Sequence, residues 1–156
     1  MERSGADLAL LLLGGFRTLA DRATAQLAER GYGEVRPAHE FALQAIAAGA
    51  DNASALGRRL AVTKQAAAKT ITLLEERGFV SRESDETDAR RTRVRVTDRG
   101  HAMMRDGAEI FETLRADWER KVGTDRILEL ESVLRELVGD EGIRFDSAGG
   151  AAQAPA

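Results

Sequence analysis

The sequence contains no cysteine among its 156 residues. This absence excludes a disulfide framework, thiolate metal ligands and a thiol redox switch. Histidine is also scarce: His39 and His101 stand far apart and have no neighbours at the spacing of metal ligands. We therefore expect no metal and no cofactor, and we expect each histidine on a helix surface or partly buried.

Long hydrophobic runs are missing as well. The apolar run Leu8–Leu13 is too short to cross a bilayer. Residues 1–7 carry two acids and one arginine rather than the basic start of a signal peptide. The sequence also shows no nucleophile–base pair, no glycine-rich phosphate loop and no metal cluster. These absences favour a cytosolic protein that is not an enzyme.

The charge is unevenly distributed, although the net charge is only −3. The segment 57–105 holds 12 Lys or Arg and 7 Asp or Glu, whereas the rest of the chain holds 11 and 19. A basic segment in an acidic protein is typical of a surface that attracts DNA phosphates. The alternative is an ordinary solvated charged surface.

Two helices are predicted before residue 50. The first covers about Asp7–Arg30 and is ended by Gly31 and Gly33. The second begins at Pro37, a residue suited to the first turn of a helix, and ends near Gly49 with Leu43 and Ile46 inward. The apolar stripe of the first helix consists of Leu8, Leu12, Phe16, Leu19, Ala23 and Leu27.

A short helix pair is predicted next. Asn52 or Ser54 caps a helix that buries Leu56 and Leu60. Thr63 caps the following helix, Lys64–Arg77, and Gly78 ends it in the left-handed conformation that glycine adopts most easily. The inward face of this second helix consists of Ala67, Ile71 and Leu74.

A hairpin and two further helices complete the prediction. In the hairpin, 79–97, Val94 and Val96 alternate with arginines, as in a half-buried strand. Thr97 then caps a helix at Asp98–Val122, and Thr124 caps a last helix that ends at Gly139. The tail 146–156 is expected to be disordered. The inward stripes consist of Met104, Phe111, Leu114, Trp118 and Val122, followed by Ile127, Leu130, Leu134 and Leu137.

These elements predict a mainly α fold with a small β-hairpin wing, a winged helix-turn-helix. In that architecture the helix 64–77 enters the DNA major groove. Gln65 suits an adenine, Ala68 and Thr72 suit a thymine methyl, and Lys64 and Lys69 suit phosphates. The alternative is an ordinary amphipathic surface helix.

The wing is rich in arginine. Arg90 and Arg91 lie at its tip and Arg93 and Arg95 on the strand behind, where arginine gains from the potential of a narrow minor groove. We expect Asp88 to hold the Arg90 guanidinium in a fork. The alternative is a charged hairpin that keeps an edge strand soluble.

The terminal helices carry more apolar surface than a small DNA-binding domain can bury, which favours an intertwined homodimer over a compact monomeric bundle. We expect the interface to contain Leu8, Leu12, Phe16, Trp118, Leu130, Leu134 and Leu137.

From about Leu8 to Val138 the chain resembles the MarR-type (multiple antibiotic resistance) family of transcriptional regulators. The matching pieces are 55–60 (ALGRRL), 62–63 (VT), 74–80 (LEERGFV), 88–90 (DAR), 94–97 (VRVT) and Gly100. Two departures concern the operator sequence: an acidic wing tip at 85–88 without the proline of many members, and three successive alanines in the recognition helix.

The resemblance implies one unit over 1–145, with a winged helix at 37–105 and dimerisation helices at 7–33 and 106–138. It implies a homodimeric repressor that binds a palindromic operator on double-stranded DNA. It makes Arg90 the minor-groove arginine and Asp88 its partner, and it often implies release by a small, frequently aromatic ligand. The ligand site is not identified by the sequence. The alternatives are a transcriptional activator with the same DNA-binding mode, or a winged-helix module for protein–protein contact.

Overall fold

The computed structural model describes residues 4–139, so the predicted disordered tail lies outside the described residues. The described chain forms six helices and one antiparallel hairpin, in agreement with the predicted fold class. No helix within this range is long and apolar enough to cross a membrane. The elements are α1 Gly5–Glu29, α2 Pro37–Ala47, α3 Ala53–Leu60, α4 Lys64–Glu76, β1 Val80–Ser84, β2 Thr92–Val96, α5 Asp98–Val122 and α6 Thr124–Val138.

Four helices begin at polar side chains that accept the free N–H groups of the first turn. At the start of α1, Ser4 Oγ accepts from the N–H of Asp7 at 3.1 Å. Asn52 Oδ1 accepts from the N–H of the third residue after it at 2.8 Å, and Thr63 and Thr97 do the same at 3.1 Å. The caps of α3, α4 and α5 confirm the predicted starts, and of the two candidates before α3 it is Asn52 that caps. The predicted Thr124 cap is wrong, because Gly123 holds the cap position and Thr124 is already helical.

The C-terminal end of α4 turns the chain directly into the wing. Gly78 has a φ of 77°, and its N–H donates to the Glu75 carbonyl at 2.9 Å. The N–H of Phe79 donates to the Leu74 carbonyl at 2.9 Å. This pair of bonds satisfies the last carbonyls of α4. The predicted left-handed glycine is therefore confirmed, and the buried Phe79 leads straight into β1.

The hairpin pairs Val80 with Val96 and Ser84 with Thr92. On β2, Val94 and Val96 are buried while Arg93 and Arg95 are exposed, as the alternation predicts. The N–H of Val94 also donates to the Asp51 carbonyl at 2.8 Å. The link between α2 and α3 therefore lies along the outer side of β2 and ties the wing to the helical body.

One core joins the winged-helix elements. The helix α2 lies at its centre and packs against α3, α4, β2 and α5. Leu43, Ile46 and Leu56 are fully buried, as predicted, whereas Leu60 is only half-buried. The other large side chains with almost no exposure are Leu27, Val35, Ile71, Leu74, Phe79, Val80, Met103, Ile110 and Leu114.

The buried face of α5 is rotated relative to the predicted stripe. It contains Met103, Ile110 and Leu114 together with two glycines, whereas Met104, Phe111 and Trp118 are half-buried and Val122 is exposed. The glycines explain the difference. A Cβ at Gly100 would lie 2.2 Å from the Phe79 carbonyl oxygen, so the hairpin rests on the α5 backbone. A stripe counted from large apolar residues cannot include such contacts.

The second α5 glycine makes room for a buried acid. Glu40 of α2 is only 3% exposed, and a Cβ at Gly107 would lie 2.6 Å from its Oε1. Burial raises the pKa of the Glu40 carboxyl to about 7. The contact between α2 and α5 therefore favours a protonated, uncharged Glu40.

The two histidines occupy the positions expected of surface or partly buried residues. His39 is half-buried in the first turn of α2, where its Nδ1 accepts from the N–H of Arg36 at 3.1 Å. Burial lowers the pKa of His39. His101 is exposed on α5.

Candidate nucleic-acid interface

The helices α3 and α4 form a tight helix-turn-helix. The turn runs through Ala61, which has a left-handed φ of 55°. Close packing at Gly57 sets the angle between the helices, since a Cβ there would lie 3.0 Å from the Val62 carbonyl oxygen. Ala67, Ile71 and Leu74 are buried, so the inward face of α4 is the predicted one.

The side of α4 predicted to contact DNA faces solvent. Lys64, Gln65, Lys69 and Thr72 are exposed, and Ala68 is half-buried beside them. Neither lysine has a salt bridge within residues 4–139, so both charges are free to meet phosphates. The structure thus places the α4 residues that are predicted to contact DNA on one surface, and their contacts with DNA stay predictions.

Thr72 is less free than predicted. Its Oγ1 accepts from Arg82 Nη2 at 3.3 Å, and Arg82 Nε pairs with Glu75 at 3.1 Å. Arg82 therefore joins β1 to α4. Because the hydroxyl is engaged, the Thr72 methyl is the part of the side chain that suits a thymine contact.

The predicted fork between Asp88 and the Arg90 guanidinium is not formed. Asp88 Oδ1 accepts from the backbone N–H of Arg90 at 3.0 Å, and the N–H of Arg91 donates to the Asp88 carbonyl at 3.0 Å. A carboxylate two residues before an N–H closes a local turn more readily than it reaches a long side chain. The carboxylate lies 3.9 Å from Arg91 Nε instead. Asp88 thus shapes the wing tip and leaves the Arg90 side chain free.

The other wing arginines have carboxylate partners. Arg93 Nε donates to Asp51 Oδ2 at 2.8 Å, and this hydrogen bond raises the pKa of Arg93. Arg95 Nη1 lies 3.5 Å from Glu83 across the hairpin. Within the described chain Arg90 is the one wing-tip arginine without an acidic partner. The geometry therefore favours Arg90 over Arg93 for DNA contact, and Arg93 instead anchors the wing to the α2–α3 link.

Two basic residues were missed by the sequence prediction. Arg58 and Arg59 are exposed in the last turn of α3, and neither forms a salt bridge within the described range. The first helix of a helix-turn-helix crosses the DNA backbone, where such cations suit phosphates. The adjacent basic pair next to the predicted turn was the available signal.

The first and last helices of the described chain expose an apolar surface. Large hydrophobic side chains are exposed along the first half of α1 and along α6, with Leu137 exposed to 75%. Of the predicted interface residues, five are exposed and two, Trp118 and Leu134, are half-buried. The exposed ones are Leu8, Leu12, Phe16, Leu130 and Leu137.

Ion pairs hold α1 and α6 against α5. Arg115 of α5 donates through Nε to Glu131 of α6 and through Nη1 to Glu119, both at 2.6 Å. The Glu131 hydrogen bond is the main cause of the raised pKa of Arg115. Arg22 of α1 pairs with Asp117 of α5 at 3.1 Å.

A cleft of about 350 Å³ lies between α1 and the start of α2. Phe16 and Leu13 line its apolar side, and its edge carries charges of both signs, Arg17 and Arg36 beside Asp21 and Glu34. Its lining residues come from α1, the α1–α2 loop and the start of α2. Among the described residues no group of side chains is arranged to hold a metal ion.

Comparison with known proteins agrees with this geometry. Residues 37–91, which span α2 through the wing tip, match the model of the MarR family. This segment, about a third of the chain, is therefore similar to the MarR family of regulators.

Solved MarR structures share the fold over nearly the whole described chain. Wild-type apo MarR from E. coli aligns with a TM-score of 0.66 at 18% identity, covering 89% of this chain and 100% of that one. A MarR family protein from Bacillus stearothermophilus aligns with a TM-score of 0.65 at 21% identity, covering 85% and 91%. Comparison with curated proteins gave no match. At these identities the structural matches establish the fold, while the operator and the effector belong to the proposal below.

Proposed function

We propose that this protein is a DNA-binding transcriptional regulator of the MarR type, a homodimeric repressor that binds a palindromic operator and is released by a small ligand. The observation that carries the proposal is the separation of two surfaces. Arg58, Lys64, Lys69 and Arg90, which form no salt bridge with any described residue, belong to the winged helix, whereas the exposed leucines belong to α1 and α6. The proposal keeps the expected division into a winged helix at 37–105 and dimerisation helices at 7–33 and 106–138.

Dimerisation follows from the size of the apolar surface. Monomeric soluble proteins rarely expose contiguous apolar patches larger than about 300–600 Å². Within residues 4–139, eleven large hydrophobic side chains are exposed, all on α1, on α6 or at the end of α5. A twofold pairing of these helices would bury them and place two copies of α4 on one face, as a palindrome requires.

Repression is the simplest outcome of such binding. A dimer with its recognition helices one turn of DNA apart covers an operator and blocks access of polymerase to an overlapping promoter. Because the proposed repressor acts on DNA, we place it in the cytoplasm. An activator would bind in the same way, and transcript levels distinguish the two: deletion of the gene raises transcription from a repressed promoter and lowers it from an activated one.

The test of DNA binding is selection from random duplexes followed by footprinting at several salt concentrations. We expect a palindromic logo and an affinity that falls steeply with salt, because neutralised phosphates release counterions. Binding without sequence preference, or to a single asymmetric half-site, would contradict the operator proposal. The matched control is a variant with both Lys64→Ala and Lys69→Ala.

For release, the cleft between α1 and α2 is the proposed effector site. A ligand there acts only through its differential affinity for the DNA-competent state, and operator DNA must weaken the ligand by the same factor. Calorimetric titration of small aromatic acids, with and without operator, tests this linkage. Equal affinities in both titrations would show that the bound compound is not an inducer.

A further inference from the structure

The recognition helix is connected to α1 through arginine side chains rather than through packed surface. The pairs of elements in extended contact include α1 with α5 and α4 with β1, but not α1 with α4. Two arginines cross the gap instead. Arg77, at the end of α4, donates through Nη1 to the carbonyl of Glu34 in the α1–α2 loop.

Arg99, at the start of α5, is the second arginine that links the end of α4 to the end of α1. Its Nε donates to the Arg77 carbonyl at 3.2 Å, and its Nη2 donates to the Gly31 carbonyl at 3.1 Å. These carbonyls follow the last turns of α4 and α1. Because the C-terminal end of a helix carries partial negative charge, the Arg99 guanidinium is attracted to the ends of both helices.

The same guanidinium lies over two aromatic rings. Its carbon is 5.3 Å from the centroid of Tyr32 and 5.2 Å from that of Phe79. Tyr32 in turn donates to Asp106 of α5 at 2.7 Å. Arg99 is thus held by cation–π contacts with two rings and by two divergent hydrogen bonds, a combination that lysine cannot reproduce.

Local folding of the wing does not depend on Arg99. Thr97 joins the start of α5 to the end of α4 by donating to the Gly78 carbonyl at 2.5 Å, and its N–H donates to the Phe79 carbonyl at 3.0 Å. What Arg99 adds is the connection to the end of α1.

From this geometry we propose that Arg99 is a positioning residue, which fixes the angle between the recognition helix and the dimerisation helix and so sets the spacing between the two half-sites that the dimer reads. The inference rests on the proposed homodimer. Its consequence is specific. Without the Arg99 contacts, the distance and angle between the two α4 helices of the dimer vary more, while each α4 stays intact.

The first test measures that register without DNA. The chain has no cysteine, so Ala66→Cys, at an exposed position of α4, gives one spin label per protomer. We expect a narrow distribution of label-to-label distances in the otherwise wild-type dimer and a clearly broader one after Arg99→Lys. Arg105→Lys, exposed on the same helix, is the control and should stay narrow. Equal widths for all three would overturn the inference, whereas a lack of any intermolecular distance would overturn the dimer itself.

The second test uses DNA. Arg99→Lys should bind an isolated half-site within about twofold of wild type but lose roughly 5- to 30-fold on the full palindrome. Its affinity should also fall less than that of wild type when one base pair is inserted between the half-sites. Equal losses on half-site and palindrome would instead indicate a purely structural role for Arg99 and overturn the proposal.

Discussion

Glu40 shows how strongly one position depends on its surroundings. As an exposed residue of α2 it would be an ordinary anion. It lies instead against the backbone of Gly107, and burial alone raises its pKa to about 7. The folded chain therefore holds a proton on Glu40 that the unfolded chain loses at lower pH.

The first prediction concerns this proton. Between about pH 4.5, the usual pKa of glutamate, and about pH 7, Glu40 should lower the free energy of unfolding as pH rises. Glu40→Gln removes this loss and should stabilise the protein by about 1–3 kcal/mol at pH 8, with little effect at pH 4. Urea denaturation at both pH values measures it.

A matched control is Glu76→Gln, because Glu76 is exposed on α4. This variant should follow the wild-type pH profile within about 0.5 kcal/mol. If Glu40→Gln also follows the wild-type profile, Glu40 is ionised in the folded protein and the assignment is wrong.

At the scale of elements, the wing separates arginines that hold it from the one that is free. Arg93 is bound to Asp51 and Arg95 faces Glu83, while Arg90 projects from a tip whose turn is closed by Asp88. Arg93 and Arg95 thus hold the hairpin in place, while Arg90 leaves a free positive charge at its tip.

The second prediction follows from this division. Arg90→Ala should weaken operator binding by about 1–3 kcal/mol without changing the free energy of unfolding, since the side chain has no partner in the described chain. The loss should be larger with A·T-rich flanks, where the minor groove is narrow. Arg95→Ala is the control from the same hairpin and should have a smaller effect. Footprinting titrations that give equal affinities for wild type and Arg90→Ala would mean that the wing does not touch DNA.

The recognition helix carries the third prediction. Gln65→Ala should relax the preference at one base pair per half-site, because an amide can read an adenine edge. Lys69→Ala should instead lower the affinity for all sequences alike and reduce the salt dependence, as expected of a phosphate contact. Selection from random DNA compares the logos. Identical logos for both variants and wild type would contradict the assignment of Gln65.

At the scale of the whole molecule, the exposed apolar surface is the dominant feature. It occupies the helices that begin and end the described chain, and the ion pairs of Arg115 and Arg22 keep α1, α5 and α6 in place around it. The proposed dimer would therefore join elements that are already ordered in each protomer, so association would not require much further ordering.

The fourth prediction tests that interface. Leu12→Asp combined with Leu137→Asp should dissociate the dimer, because each would bury an unpaired charge. Both leucines are exposed in the isolated chain, at 46% and 75%, so the monomer should keep its helical content. Leu134 is less suitable, since it is half-buried within the chain.

Sedimentation measures the mass at micromolar concentration, and circular dichroism checks the fold. Ala108→Asp, which adds the same charge at an exposed position of α5, should remain dimeric. A wild-type protein that sediments as a monomer would exclude this mode of operator binding.

Much of this architecture follows from local sequence. The caps Asn52, Thr63 and Thr97, the left-handed Gly78 and the alternation of Val94 and Val96 each act over at most four residues. Both partners of such interactions lie next to each other in the sequence, which is why the starts of α3, α4 and α5, the helix-turn-helix and the hairpin were predicted correctly.

Tertiary structure decided the features whose partners are distant in sequence. Arg93 binds Asp51 from 42 residues away, and Glu40 meets a backbone 67 positions later at Gly107. Gly100 belongs to the buried face of α5 because the hairpin rests on its Cα, a role that hydrophobic periodicity does not score. Such contacts depend on how rigid elements dock, and docking is set by shape and by the whole core rather than by any four-residue pattern. The sequence alone therefore determined which elements form and which surface carries the cations; only the fold determined which of those cations are free.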